Sequence, residues 1–245
     1  MKKPIVITDV TRMQEGRVCI AGYDQHGQCV RPVLPPPGIH ESTLYSASKA
    51  IIFPSAKVEF EFTQSTPQPP HTEDVRYDPA YIKFIERLPE ERWQRMLEAT
   101  LSNNVSAIFE QPVLTDPGHY VMDGRGPRSL GTIRPMQIVQ VIHELSPEGK
   151  WQYRLRFVDG EQIAYRLTIT DLAWRYYCDS QRKEGRDPTE IAKSLARSLQ
   201  ASHVYLRIGL ARGWTKFPDR CYIQITGIHT FPDYLDGRTF ADFAP

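Results

Sequence analysis

The sequence predicts a mainly β fold with inserted helices (α+β), built as two small barrels with a helical pair between or beside them. Three observations point there. Strand–turn–strand signals recur at Gly16–Leu34 and Trp151–Ile169, Asp-Pro pairs at 78 and 187 mark helix starts, and 245 residues suffice for two units of about a hundred residues, each with its own core. The expected division is 1–115, holding a helical pair over 78–104, and 116–245, holding helices near 171–184 and 188–201.

Pro4-Ile-Val-Ile7 opens a first strand that can pair with the hairpin beyond it. In that hairpin Gln25-His-Gly27 fits a three-residue loop, with Gly27 in the left-handed position. The register then sets Val18, Ile20 and Gly22 against Leu34, Pro32 and Val30, and leaves Arg17, Cys19, Tyr23, Cys29 and Arg31 on the other face. Pro35-Pro-Pro-Gly38 ends the ladder, and Val58, Phe60 and Phe62 alternate as a half-buried strand. Asp78-Pro79 predicts a helix through Tyr81, Ile82, Phe84, Ile85 and Leu88. Pro89 restarts the pattern for a second, through Trp93, Met96, Leu97 and Leu101 to Asn103-Asn104.

A short strand is expected after Val105, then a Gly-rich loop carrying Arg125 and Arg128 that matches no phosphate-binding fingerprint. Strand character resumes over 129–144. In the second hairpin an Asp159-Gly-Glu161 loop pairs Phe157 with Ile163, Leu155 with Tyr165, Tyr153 with Leu167 and Trp151 with Ile169, an apolar face. On the reverse face Arg154 then meets Arg166, a repulsion relieved by an acidic neighbour or by a bound anion, and the anion is preferred. Asp171 and Asp187 cap the two helices, strands follow over 204–211 and 221–228, and the aromatic tail from Thr230 packs on the body.

Cys19-Ile-Ala-Gly-Tyr-Asp24, Cys29-Val-Arg-Pro32, Ser129-Leu-Gly131, Ile169-Thr-Asp-Leu-Ala-Trp174, Tyr205-Leu-Arg-Ile-Gly-Leu-Ala-Arg212 and Ile223-Gln-Ile-Thr-Gly-Ile228 together resemble the dual OB-containing domain family, a prokaryotic group. The resemblance covers nearly the whole chain. It implies tandem OB barrels and nucleic-acid binding or sensing, in an accessory protein of a defence or mobile-element system.

Charge agrees with an anionic partner only locally. Residues 150–220 carry 14 Lys and Arg against 8 Asp and Glu, an excess of six in a chain of net charge +1, which leaves −5 for the remainder. OB barrels bind single strands through a basic groove with aromatic platforms. The residues expected to do so are Arg17, Tyr23 and Arg31 in the first unit, and Arg154, Arg156, Arg166, Arg207, Arg212 and Trp214 in the second. The alternative is a nuclease or nucleotide hydrolase, for which Asp9, Asp24, Asp171, His203 and the thiols of Cys19 and Cys29 are the candidates. Caps, turns and core thiols account for those residues more cheaply.

The four cysteines form no C-x-x-C pair, so no metal site and no cofactor is expected. Neither a signal peptide nor a membrane span is legible, and a cytoplasmic, reduced protein is expected. Single-stranded nucleic acid is the expected partner, with a protein partner through the acidic half as a further possibility.

Overall fold

The computed structural model describes residues 1–245. Five strands form the first barrel: β1 (Lys2–Arg12), β2 (Arg17–Tyr23), β3 (Cys29–Val33), β4 (Ala56–Ser65) and β5 (Asp74–Arg87). They are hydrogen-bonded in the order β1-β4-β5-β3-β2, and β2 pairs with β1 to close the ring. The β3–β5 pair is parallel and the others antiparallel, which is OB connectivity.

Within β1 a bulge at Thr8 shifts the register against β2 between Ile7 and Asp9. There the chains approach so closely that a Cβ on Gly22 would lie 2.2 Å from the Val6 carbonyl oxygen, so only glycine fits. The first hairpin turns as the sequence indicates, with Gly27 at φ +73° and Gly22 opposite Val30. Its pairing stops there, because Pro32 has no N–H to offer Ile20 and β3 swings away to pair with β5. Val18 instead faces Ile39 of a two-residue strand.

The first half of the expected helical pair over 78–104 is a strand. Ile82 and Phe84 lie opposite Phe60 and Val58, so their spacing of two served the sheet rather than a helix. Asp78-Pro79 is a local turn within the bulged β5, and the Asp78 carboxylate accepts the Ala80 N–H at 2.9 Å. The second half forms as α1 (Glu90–Ala99) but stops before Leu101. Asn104 begins an element rather than ending one: its side chain accepts the Ala107 N–H at 2.7 Å and caps α2 (Val105–Phe109), where a strand was expected.

The second barrel comprises β6 (Leu130–Ile133), β7 (Gln137–Leu145), β8 (Trp151–Val158), β9 (Ala164–Ile169), β10 (His203–Leu210) and β11 (Arg220–Phe231). Its order is β7-β8-β9-β11-β10-β6, with β9 and β11 parallel. β6 and β7 are two stretches of one strand broken at Pro135, so the ring repeats the OB order of the first barrel. The helices α3 (Leu172–Lys183) and α4 (Pro188–Gln200) fill the connection between β9 and β10, capped by Asp171 and Asp187 as the sequence indicates.

The second hairpin is slipped by two residues from the expected register. Phe157 faces Tyr165, Leu155 faces Leu167, Arg156 faces Arg166 and Arg154 faces Thr168. The cause is Asp159, which is fully buried. Its Oδ1 accepts the N–H groups of Glu161 and Ile163 and its Oδ2 that of Val105 on α2, widening the loop. An even slip leaves each side chain on its own face, so the apolar set stays inside.

Two large cores result, one per barrel, with α3 serving both, and a small third cluster of Leu88, Trp93, Leu97, Tyr205 and Phe231 lies under α1. Trp174 and Cys178 enter the second core, while Leu172, Ala173 and Tyr176 enter the first, where Leu235, Phe240 and Phe243 of the tail join them. No helix is long and apolar enough to cross a membrane.

Candidate nucleic-acid interface

An OB barrel offers ligands the exterior of its second and third strands, flanked by neighbouring loops. In the first barrel that exterior is the face of Arg17, Cys19, Ala21, Tyr23, Cys29 and Arg31, because Val18, Ile20 and Val30 point into the core. Most of it is covered by the second barrel. Tyr23 is 6 % exposed and Arg31 5 %.

The lock across this face is Arg207 of β10, which has no exposed surface. Its Nε donates to Asp9 Oδ2 at 2.9 Å, and one terminal nitrogen donates to the Tyr23 hydroxyl at 2.6 Å and to Thr132 Oγ1 at 2.8 Å. The guanidinium also lies over the Tyr23 ring, 4.8 Å from its centre. Burial alone would lower its pKa, but Asp9, Tyr23 and Cys29 outweigh burial and raise it, holding the charge. Thr8 and Thr226 donate to the Asp9 carboxylate, so the buried pair is hydrogen-bonded throughout.

A second clamp lies beside the first. Asp74 takes Arg31 Nε at 2.5 Å on one oxygen and Arg212 on the other. Glu73 accepts the Ser129 and Leu130 N–H groups, at 2.5 and 3.0 Å. Asp171 caps α3 and also accepts the Ile228 N–H at 2.9 Å, while the Arg12 N–H donates to the Thr170 carbonyl at 2.8 Å.

Tyr23, Arg31 and Arg207 therefore belong to the junction and not to an open groove, contrary to the sequence expectation. Arg212 has its carboxylate but keeps a half-exposed side chain. Arg17, at the rim, is paired with Glu15 at 2.9 Å. The candidates for hydrolytic chemistry are likewise engaged. Asp9 holds the junction, Asp171 caps α3 and ties it to the Ile228 N–H, Asp24 organises its hairpin and meets Lys3 at 2.5 Å, and His203 lies 3.0 Å from an Arg134 nitrogen. Burial raises the pKa of Cys19 and pushes Cys29 up to about 12, which disfavours a nucleophilic thiolate at either.

The equivalent exterior of the second barrel is open. Tyr153, Leu155, Phe157, Tyr165 and Leu167 point into the core, so Arg154 and Arg156 of β8 and Arg166 of β9 stand outside. Arg156 and Arg166 are directly opposed. Glu144 of β7 approaches Arg166 at 3.5 Å and Arg154 at 3.8 Å, and Arg156 has no carboxylate in reach. The acidic neighbour weighed against a bound anion thus exists, yet one carboxylate among three guanidiniums leaves the face positive. Partial burial and the nearby Arg166 lower the pKa of Arg154, as they do for a cation in a positive field.

The same surface runs on to aromatic groups. Thr168 of β9 lies beside Gln224 of β11, and Tyr222 shares the outer face of Gln224 because Cys221 and Ile223 are in the core. The β10–β11 loop adds Phe217, edge-on to Tyr222 at 6.3 Å, and Trp214, edge-on to Phe217 at 5.8 Å and 53 % exposed. Arg220 lies over the Phe217 ring at 4.5 Å and the Tyr120 ring at 4.7 Å. Sequence reasoning missed Phe217, Arg220 and Tyr222; the signal was an aromatic and basic loop between two strongly apolar strands.

Two OB barrels joined by the buried Arg207–Asp9 pair and the contacts around it, with the exterior of β2 and β3 covered and that of β8 and β9 open, define a tandem OB protein. The chain belongs to the dual OB-containing domain family, whose profile matches residues 3–228. No curated protein matches it. The stretches that carried the family resemblance hold Tyr23, Arg31, Ser129, Asp171, Arg207, Arg212 and Thr226, and all of these meet at the junction between the barrels.

Proposed function

We propose that the protein binds single-stranded nucleic acid on the exterior of β8 and β9, with Arg154, Arg156 and Arg166 following phosphates and Trp214, Phe217 and Tyr222 offering rings to bases. One observation carries this reading: of two equivalent barrel faces, one is sealed by the other barrel and the remaining one displays three guanidiniums against one carboxylate. Stacking on aromatic groups contributes about 1–3 kcal/mol per base and is tolerant of sequence, which suits a surface with few base-reading side chains. The same chemistry suits an accessory protein of a defence or mobile-element system that meets exposed single strands.

Fluorescence anisotropy with a labelled 20-mer, repeated across a salt series, tests it. Three phosphate contacts give a log–log slope of about −2 for a single strand, at roughly 0.7 per contact. A flat salt dependence, or no binding in dilute salt, removes the proposal.

A further inference from the structure

Beside the arginines of the open face lies a cleft of about 290 Å³, lined by Gln140, Ile142, Glu144, Arg156 and Arg166. Taking strand binding at β8 and β9 as proposed, we infer from the position of Glu144 between Arg154 and Arg166 that it is a built-in competitor of the strand's phosphates. It occupies two of the three guanidiniums and must be displaced when a strand binds, which keeps binding weak and reversible.

Register alone would not bring these groups together. On β7 the outward residues are Gln140, Ile142 and Glu144, because Val141 points into the core. Gln140 lies opposite Arg156, Ile142 opposite Arg154 and Glu144 opposite Gln152, so no arginine is the direct cross-strand partner of Glu144. Its Oε1 nevertheless lies 3.5 Å from a terminal nitrogen of Arg166, two strands away, and 3.8 Å from one of Arg154 on the neighbouring strand. Arg166 in turn has Arg156 directly opposite it. Like charges so placed repel, so the Arg166 guanidinium gains by leaning across the cleft to the carboxylate.

The same contact is built to give way. The Glu144 and Arg166 side chains are 53 % and 52 % exposed, so water and salt screen the pair and it is worth little. Both separations exceed the roughly 2.7–2.9 Å of a charge-assisted hydrogen bond, so a phosphate oxygen in full contact holds either guanidinium better than Glu144 does. Arg156, with no carboxylate in reach, is free to take a first phosphate. The next phosphate of that strand is then held close by, and it competes with the carboxylate as a tethered group rather than from dilute solution. Glu144 therefore lowers affinity without blocking the face.

Anisotropy of a labelled single-stranded 20-mer at about 0.1 M salt, where exposed charges more than about 10 Å apart are screened, tests the inference. Glu144→Gln should tighten binding about three- to tenfold, a scale set by the loss of two exposed pairs. Glu161→Gln removes the same charge from the exposed β8–β9 loop and should change affinity by less than about 1.5-fold. On an Arg166→Gln background the gain from Glu144→Gln should fall below about twofold, since the carboxylate acts through that arginine. Weaker or unchanged binding by Glu144→Gln, an equal gain from Glu161→Gln, or a full gain without Arg166 overturns the inference and leaves the interface standing. Absence of binding by the parent removes the interface, and the inference with it.

Discussion

Arg207 shows how much one side chain can decide. Its charge is buried, matched by Asp9 and surrounded by acceptors, so its removal would strand a carboxylate in the interior. Arg207→Met is expected to lower unfolding free energy by about 3–5 kcal/mol, and adding Asp9→Leu should restore part of the loss. Denaturant melts of the single and double variants check this, and a single-variant loss below about 1 kcal/mol would contradict the role assigned to the pair. His229 carries a pH signature from the same region. Burial holds its pKa down at about 4, against 6.5 when exposed, so the unfolded chain takes up a proton that the folded chain refuses. Stability from this group is present above pH 6.5 and is lost as pH falls toward 4, by about 3 kcal/mol at 1.36 kcal/mol per unit. Asp171 acts in the opposite sense, since burial pushes it up to about 6, so the comparison must be made with His229→Gln. The stability advantage of the parent over that variant should shrink between pH 7 and pH 4, and parallel profiles would contradict the assignment. A signal for the burial of Arg207 was present in the chain: Val204–Leu210 is apolar on both faces apart from this arginine, as befits a strand covered on both sides. Its partner could not be read, because Asp9 lies 198 residues away.

At the scale of elements, local chemistry was legible where it decided the outcome. The Gly27 turn, the alternating Val58, Phe60 and Phe62, and the Asp171 and Asp187 caps are as the sequence indicates. It misled where a local signal was real but subordinate. Asp78-Pro79 makes its capping bond inside a strand, because the neighbouring β4 supplies the pairing that a helix would forgo. The two-residue slip of the β8–β9 hairpin comes from Asp159 reaching α2, a contact that hairpin rules do not contain. Asp159→Ala should cost about 1–3 kcal/mol for the Val105 N–H left unpaired in the core, and equilibrium melts measure it. Unchanged stability would mean that the loop is set by its backbone alone.

For the whole molecule, two barrels of one topology differ in which exterior is covered by the way they meet. The junction consumes the β2–β3 exterior of the first, which is why Tyr23 and Arg31 looked like groove residues: they stand on the face that binds in an OB barrel, but another barrel occupies it. Arg154, Arg156 and Arg166 were legible because hairpin alternation put them outside, and an even slip in register left them there. The most direct test compares charge reversal on the open face with reversal beside the closed one. Arg156→Glu with Arg166→Glu should weaken binding of a single-stranded 20-mer at least tenfold with the melting temperature unchanged, whereas Arg17→Glu should leave affinity within about twofold. Equal losses from both, or a loss confined to Arg17→Glu, would contradict the placement of the interface on the second barrel.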